Sequence, residues 1–432
     1  DLTSATGVKT IDVDVANSTV LTVDKLLGSE TIKWTTGGND ASGITAILAD
    51  ATGSSDSINL ELNGTIADAA DFTVADVETV NVKIATNAES VDFSGISMTA
   101  AGAVATLKVT GDKALTVSAL GADVTTIDAS GMGIGGSFKQ TGRSSTVVQT
   151  ATGSAGDDTF IMVNKGDVLA AGSGTDTLDI NDAVILGGIS IDLTAADQVV
   201  SYNGSTNSAV QSGFENVDLA GFTGSFGSEI IGTTGANTIV GTANADEISG
   251  GLGADTITGG QGNDVIDLGA SDTGADIAIF SNTNGNDTIT GFDTTEDHLN
   301  FNGITGIDAT ATGAAVGLAA NAAKVADAVD GAVYVFANGA DGTGTGATSI
   351  IADYTDLTDV AAFLNAGLGV VEAENYVAVV NDLTTGNAYA YLIDVDADTA
   401  TDDRVDAGDL TAIAKITEES AGALVIADIV SA

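Results

Sequence analysis

A nine-residue repeat occupies residues 232–267 and constrains the fold more than any other feature of the chain. Its four contiguous copies read GTTGANTIV, GTANADEIS, GGLGADTIT and GGQGNDVID. Each copy ends in a short strand-like run with an inward-facing isoleucine at its eighth position. The glycines before that run permit the positive φ of a tight turn. Each copy therefore predicts one turn and one short strand, and two copies complete a circuit of 2 × 9 = 18 residues.

Such a circuit stacks turns that lie two copies apart in the sequence. Asp264 then lies over Asp246, whereas Asp255 lies over Asn237. The stacked turns line a small gap with carbonyl and aspartate oxygens, and Ca²⁺ prefers a cage of about six to eight such oxygens. Without an ion the aspartates would be crowded like charges. We therefore expect folding to depend on calcium, and we expect the two sides of the roll to bind calcium unequally.

Looser copies flank this block. From Gly153 onward, Asp158, Asp167 and Asp176 are spaced by nine residues, and each has a large apolar residue two places on. The copy at 162–170 keeps the aspartate and the leucine but has lost most of the glycines, which predicts the period without a metal at Asp167. A further copy, NTNGNDTIT, lies at 282–290.

These copies resemble the GGxGxDxUx nonapeptide of RTX proteins, whose fold is a parallel β-roll with Ca²⁺ between its turns. The resemblance implies calcium ligands among the glycines and acidic or amide residues of the turns. The candidates are Asp158, Asp176, Asn237, Asp246, Gly250, Gly251, Gly253, Asp255, Gly259, Gly260, Gly262, Asp264, Asp267, Gly285, Asp287 and Asp297. Because Asn237 and the glycine-poor turn 241–246 depart from the consensus, we expect weaker sites there.

A separate acidic stretch, DVDADTATDDRVDAGD, begins at residue 394. Asp394, Asp396 and Asp398 have the Asp-x-Asp-x-Asp spacing of a calcium loop. Thr399 stands where an EF-hand needs glycine, and Val405 stands where it needs a bidentate glutamate. The stretch is interpreted either as a further calcium site or as a solvated acidic loop.

Residues 1–150 contain short alternating runs that predict strands of a solenoid rather than of a sandwich. The runs are KTIDVDV (9–15), TVLTVD (19–24), SINLELNG (57–64), VETVNVKI (77–84), TLKVTG (106–111), ALTVSA (114–119) and VTTIDASG (124–131). Strings such as DSINLELNG, VETVNV and LKVTGDKALTVS resemble the solenoid of RTX-type bacterial surface-layer proteins. That resemblance implies a calcium-bound, self-assembling body. In the family a lipopolysaccharide-anchoring domain precedes this body, so the resemblance implies that the present sequence is mostly the body without the anchor.

Residues 306–432 change in character and predict a small α+β cap on the end of the solenoid. Segment 309–330 is alanine-rich and predicted partly helical, and 341–349 is predicted as a loop. In 356–369, apolar residues fall on one helical face, and strands are predicted at 376–382 and 388–396. RTX proteins are exported by type I systems through an uncleaved C-terminal signal. The acidic and aliphatic segment 409–432 fits either such a signal or an ordinary last element of the cap.

Composition narrows the function further. The formal net charge of −48 makes nucleic acid a poor partner and divalent cations a favourable one. The absence of cysteine excludes disulfides and thiolate chemistry, and no apolar run is long enough to span a bilayer. His298 is the one histidine, which excludes an HExxH zinc site, and no GxSxG elbow is present.

The sequence therefore predicts an all-β protein, an elongated parallel β-solenoid or RTX β-roll with a small C-terminal α+β cap. The expected domains are a solenoid at 1–150, a calcium-binding roll at 151–305 with a strand-rich insert at 180–229, and the cap at 306–432. The expected function is structural: a Ca²⁺-dependent two-dimensional lattice of copies of this chain on a bacterial cell surface, with no catalysis. The alternatives are an RTX adhesin or matrix filament that binds cells or glycans, and a fragment of an enzyme whose catalytic domain lies elsewhere.

Overall fold

The fold was analysed in a computed structural model of the chain. The structure describes residues 8–14, 20–36, 43–50, 52–64, 66–85, 91–99, 105–143, 147–181, 186–269, 273–281, 285–304, 333–338, 354–367, 375–382, 385–394, 405, 407 and 410–418. Two compact units, Asp1–Gly224 and Ser225–Ala432, divide the chain. The predicted domain limits at 150 and 305 stay predictions.

The first unit is a stack of strands that alternate between two parallel sheets. Its strands are β1 (Thr10–Asp14), β2 (Leu21–Leu26), β3 (Thr31–Thr36), β4 (Ile44–Leu48), β5 (Ser57–Gly64), β6 (Ile66–Ala75), β7 (Thr79–Ile84), β8 (Val91–Thr99), β9 (Ala105–Gly111), β10 (Leu115–Val117), β11 (Val124–Met132), β12 (Phe138–Gln140), β13 (Thr150–Thr152), β14 (Thr159–Met162), β15 (Val168–Ala170), β16 (Thr177–Ile180), β17 (Ile189–Asp192), β18 (Val199–Tyr202), β19 (Ser205–Thr206), β20 (Gln211–Ser212) and β21 (Asn216–Asp218).

Odd-numbered strands up to β15, then β20, form one sheet, and even-numbered strands up to β16, then β21, form the other. Each strand pairs in parallel with the strand one circuit away, for example β3 with β5 and β4 with β6. This is the topology of a solenoid with one strand per face in each circuit. Strands β17, β18 and β19 are the exception, because they pair antiparallel with one another.

Alternating burial along the strands builds the core of this unit. In β5, Ile58, Leu60 and Leu62 face inward and are at most 1% exposed. Leu60 pairs with Ile32 on one side and with Val82 on the other, so aliphatic side chains form a continuous row through successive circuits. Trp34 is buried in the same core.

The second unit has the same construction and also contains a mixed layer. Its elements are β22 (Ser228–Ile231), β23 (Thr238–Val240), β24 (Glu247–Ser249), β25 (Thr256–Thr258), β26 (Val265–Asp267), β27 (Ile277–Ser281), β28 (Asp287–Phe292), β29 (His298–Gly303), β30 (Val333–Asn338), α1 (Leu357–Gly367), β31 (Asn375–Asp382), β32 (Asn387–Asp394) and β33 (Leu410–Glu418).

Strands β23, β25, β27 and β29 pair in parallel in one sheet, and β22, β24, β26 and β28 pair in parallel in another. The register places Ile239 opposite Ile257 and Ile248 opposite Ile266, all at most 1% exposed. The eighth position of the nonapeptide therefore fills the core, as predicted. Together the two units confirm the predicted all-β parallel solenoid.

The C-terminal elements form the predicted α+β layer. β33 pairs in parallel with β28 and antiparallel with β32, which is antiparallel to β31. The predicted helix is present as α1, and Val360, Phe363 and Leu364 pack it into a cluster with β31 and β32. Part of the segment proposed as an export signal is β33, while residues 419–432 lie outside the described residues. The segments 309–330 and 341–349 also lie outside them.

Candidate metal centre

The turns of the second unit stack in two columns. The first column contains turns 241–246 and 259–264, which lead into β24 and β26, and then residues 285–287. The second column contains turns 232–237 and 250–255, which lead into β23 and β25, and then residues 273–276 and 293–297. The sixth residue of each turn therefore lies just before a strand or, at Asp287, begins one.

The sixth residues of each column are linked by one repeated hydrogen bond. The side-chain Oδ1 of one turn accepts from the backbone amide of the sixth residue of the turn before. In the first column, Asp264 accepts from the Asp246 amide at 2.9 Å, and Asp287 accepts from the Asp264 amide at 3.0 Å. In the second column, Asp255 accepts from the Asn237 amide at 2.8 Å. Asp276 then accepts from the Asp255 amide at 2.7 Å, and Asp297 accepts from the Asp276 amide at 3.0 Å. Each carboxylate thus reaches into the gap between its own turn and the preceding one.

The first unit contains a shorter column of the same kind. Asp176 Oδ1 accepts from the Asp158 amide at 2.7 Å, and Asp158 Oδ1 accepts from the Phe138 amide at 2.5 Å. The Asp176 amide in turn donates to Glu215 Oε2 at 2.8 Å, so a glutamate from beyond the antiparallel strands continues the row. The structure thus brings Asp158 and Asp176 together as the period predicts.

Some carboxylates of these columns have a buried oxygen that receives no hydrogen bond. Asp176 Oδ2 and Asp264 Oδ2 are both buried without a donor. A buried carboxylate oxygen without a partner is costly, and a hard cation satisfies it well. In the described part of the chain no three acidic or histidine side chains converge on one point, so a bound ion would take its remaining oxygens from the backbone of the stacked turns.

Burial changes the proton affinity of these groups. Burial raises the pKa of Asp264 to about 7; the hydrogen bond from the Asp246 amide opposes the shift, and the charges of Asp287 and Asp246 add to it. Burial likewise raises the pKa of Asp176 to about 7, with the charge of Asp158 adding to the shift. The pKa values of Asp158 and Asp246 are also raised by burial, against hydrogen bonds from neighbouring amides and hydroxyls. These columns are therefore places where a cation would compete with protons.

Glycine is required in the turns because the backbones approach closely. Gly251 and Gly260 have φ of 101° and 108°, in the left-handed region. A Cβ at Gly260 would lie 1.9 Å from the carbonyl oxygen of Thr242, and one at Gly251 would lie 2.1 Å from that of Thr233. The third glycines, Gly253 and Gly262, have φ of 109° and 116° and are similarly crowded by the turn before.

The first glycines of these turns lie against the carboxylates. A Cβ at Gly259 would lie 2.2 Å from Asp264 Oδ2, and one at Gly250 would lie 2.5 Å from Asp255 Oδ2. Gly285 approaches the carbonyl of Gly262, where a Cβ would lie 1.9 Å away. The predicted glycines therefore line the same gaps as the aspartates.

Four other predicted ligands lie outside these columns or outside the described residues. Asp267 ends β26 and is part of neither column of sixth residues; its Oδ1 accepts from the Gly269 amide at 3.4 Å. Asp394 is an exposed residue at the end of β32, opposite Asn375. Asp396 and Asp398 lie outside the described residues, so calcium binding by that loop stays a prediction.

Asp276, which was not among the ligands predicted from the sequence, occupies a full place in the second column. The motif Gly274-Ala275-Asp276 preserves the end of the nonapeptide turn, but it follows Asp264 by 276 − 264 = 12 residues. A search that allowed three extra residues between copies would have found it. Glu215, and Arg143, which donates to Asp167, carry no periodic signal in the sequence, because they come from outside the repeat.

Residues 231–266 match the family model of the RTX calcium-binding nonapeptide repeat, over four copies. No curated protein matches the chain. RTX nonapeptides bind calcium, so Ca²⁺ is the cofactor of these turns, and proteins that carry them are generally extracellular. Within the described residues no helix is long and apolar enough to cross a membrane.

Proposed function

We propose that this chain is the lattice-forming body of a bacterial surface layer, exported by a type I system and held in shape by Ca²⁺. The observation that carries the proposal is the presence of two columns of stacked carboxylates in the second unit. The match of residues 231–266 to the RTX calcium-binding repeat supports it. A protein of net charge −48 with such columns needs cations to become compact and to approach copies of itself. Its partners in this proposal are other copies of the chain, and lipopolysaccharide through a part that precedes this one.

The first unit supports the structural role. The strings that resemble surface-layer solenoids lie on successive circuits, as β5, β7, β9 and β10. Such repeated circuits offer a regular surface with one side-chain row per strand, which suits repeated contacts between identical copies. His298, the one histidine, has its Nδ1 2.8 Å from the Asp297 carbonyl oxygen at the start of β29, and we assign it a structural role rather than catalysis.

Electron microscopy of the purified chain, titrated with Ca²⁺ and followed by light scattering, tests the proposal. We expect ordered sheets above a threshold of calcium and their loss on chelation. The variant Asp264→Asn should shift that threshold upward, whereas Asp50→Asn, at an exposed turn aspartate bonded to Thr52, should not. A monodisperse folded monomer at every calcium concentration would exclude the lattice.

An RTX adhesin or matrix filament is the second candidate. The same calcium-bound scaffold would then remain monomeric and bind a soluble glycan. Glycan-array binding by a calcium-loaded monomer, together with the absence of sheets, would favour the adhesin.

A further inference from the structure

The turns of the two repeat blocks fall into two classes according to their second residue. In turns 171–176, 250–255 and 259–264 that residue is a glycine, with φ of 115°, 101° and 108°. In turns 153–158, 232–237 and 241–246 it is Ser154, Thr233 or Thr242, and none of these has a positive φ.

In the second class the hydroxyl lies among the oxygens of its own gap. Ser154 Oγ is 3.0 Å from Asp158 Oδ1 and 3.2 Å from the carbonyl oxygens of both Gly156 and Gly136. Gly136 belongs to the preceding circuit, so three oxygens from two circuits converge on one hydroxyl. The Ser154 amide also donates to Asp158 Oδ2, at 2.5 Å. Both oxygens of this carboxylate are therefore satisfied by the chain itself.

The two threonines repeat this arrangement. Thr242 Oγ1 lies 3.0 Å and 3.1 Å from the two carboxylate oxygens of Asp246 and 3.3 Å from the Asn244 carbonyl oxygen. Thr233 Oγ1 lies 3.1 Å from both Asn237 Oδ1 and the Gly235 carbonyl oxygen. Each threonine amide also donates to the sixth side chain, at 2.7 Å and 2.6 Å respectively.

A guanidinium performs the same task at Asp167. Arg143 donates to Asp167 Oδ2 at 2.9 Å and to Oδ1 at 3.1 Å, and both side chains are buried. The same guanidinium donates to the carbonyl oxygens of Ile161, at 3.2 Å, and Val147, at 2.5 Å. One fixed positive group is thus surrounded by a carboxylate and carbonyls, which are the ligands that a calcium ion takes.

The glycine turns have no side chain at the second position that could replace the ion. Asp176 Oδ2 and Asp264 Oδ2, which both belong to glycine turns, are buried oxygens that receive no hydrogen bond. The two classes of turn also occupy regular positions in the chain. In the first block, Ser154 and the Arg143 partner Asp167 belong to the two turns of the first circuit. In the second block, Thr233 and Thr242 belong to the two turns of the first circuit. The glycine turns of both blocks follow one circuit later.

We propose that the first circuit of each block is a calcium-independent cap, in which Ser154, Arg143, Thr233 and Thr242 replace the ion, and that Ca²⁺ enters only the glycine turns stacked upon it. The caps then provide a folded template on which the calcium-requiring circuits assemble. This inference rests on calcium binding by the repeats and is independent of lattice formation.

Calcium stoichiometry, measured by native mass spectrometry on the whole chain, tests the inference. Ser154→Gly converts GSAGDD to GGAGDD and so restores the consensus turn. We expect it to bind one more Ca²⁺ than the wild-type chain. Ser154→Thr keeps a hydroxyl and should leave the number unchanged. Adding Asp158→Asn to Ser154→Gly should abolish the gain, which would place the new ion at Asp158.

The wild-type chain provides a second measurement that does not depend on variants. In calcium-free buffer, the amides of Gln149 and Asn164, which donate to Asp167, should stay protected from hydrogen exchange. Those of Thr256 and Val265, one circuit into the second block, should exchange at least about a hundredfold faster than with calcium. Equal ion numbers in Ser154→Gly and wild type, or loss of protection at Gln149, would overturn this inference alone. A wild-type chain that binds no calcium would overturn the calcium assignment with it.

Discussion

The circuits of β1–β11 and those of β23–β26 use one topology but different means of stabilisation. Strands in the first region reach ten residues, and β5 alone buries Ile58, Leu60 and Leu62. Strands β23–β26 have three residues each, and each buries a single isoleucine. We infer that, in circuits of 18 residues, the turns supply the cohesion that the smaller core no longer provides.

Polar and charged side chains outside the core also differ between the two regions. The outer face of the first region carries an amide contact, Asn81 Nδ2 to Asn59 Oδ1 at 3.1 Å, and exposed ion pairs such as Lys83 with Glu61 at 3.2 Å. Exposed pairs of this kind contribute little, about 0 to 1 kcal/mol. The nonapeptide region instead concentrates buried carboxylates in its turns, where an ion or its substitute has a large effect.

Removing calcium should therefore separate the two regions more than any other change. In calcium-free buffer we expect hydrogen-exchange protection in β25 and β26 to fall by at least about a hundredfold, and that of β5 and β7 to change by less than about threefold. Magnesium in place of calcium is the control, because it demands a smaller and more rigid octahedral shell. Equal losses in both regions would show that the short circuits are not specially dependent on the ion.

Replacing Arg143 should have the next largest effect. Arg143→Met leaves the buried Asp167 carboxylate without its counter-charge, which we expect to lower the free energy of unfolding by about 3–5 kcal/mol in urea denaturation. Millimolar calcium should recover part of this loss, because the vacated gap keeps the Asp167 carboxylate. The matched control is Lys83→Met, at an exposed ion pair, for which we expect less than about 1 kcal/mol. A loss at Arg143 no greater than at Lys83 would contradict the role of the guanidinium.

How far the sequence predicts this molecule depends on whether a feature is local. The nonapeptide spacing predicts the stacking of Asp264 on Asp246 because strand length and turn length fix the circuit, whatever lies around it. Arg143 could not be assigned from the sequence, because it reaches Asp167 across 24 residues, from outside the repeat. The hydroxyl caps were also not predicted. Only the three-dimensional arrangement shows that Ser154 and Thr242 direct their hydroxyls into the gap rather than toward solvent.

A matched pair of glycine substitutions should sharpen the contrast between the two classes of turn. Gly260→Ala forces a positive φ on alanine and places its Cβ 1.9 Å from the Thr242 carbonyl oxygen, so we expect a loss of about 2–4 kcal/mol and weaker calcium binding. Gly235 lies in a threonine turn without a positive φ, and its nearest neighbour to a new Cβ is Thr233 Oγ1 at 3.8 Å. Gly235→Ala should therefore cost less than about 1 kcal/mol by urea denaturation. Comparable losses would mean that the two turns are equivalent.

The smallest expected effect is a dependence of the calcium requirement on pH. The folded pKa of Asp264 and of Asp176 is raised to about 7 from an ordinary value of 3.8, so between these limits the calcium-free fold binds protons that the unfolded chain releases. Stability of the calcium-free protein should thus be greatest at acidic pH and should fall by at most about 1.4 kcal/mol per pH unit for each carboxyl until pH passes about 7. Calcium affinity should change in the opposite direction and increase with pH over the same window, because the ion displaces those protons.

Urea denaturation and calcium titration at about pH 5, 6 and 7.5 measure both slopes. Asp264→Asn should reduce each slope, whereas calcium-free stability that rises with pH through this window would contradict the assignment of buried, protonated carboxyls to the glycine turns.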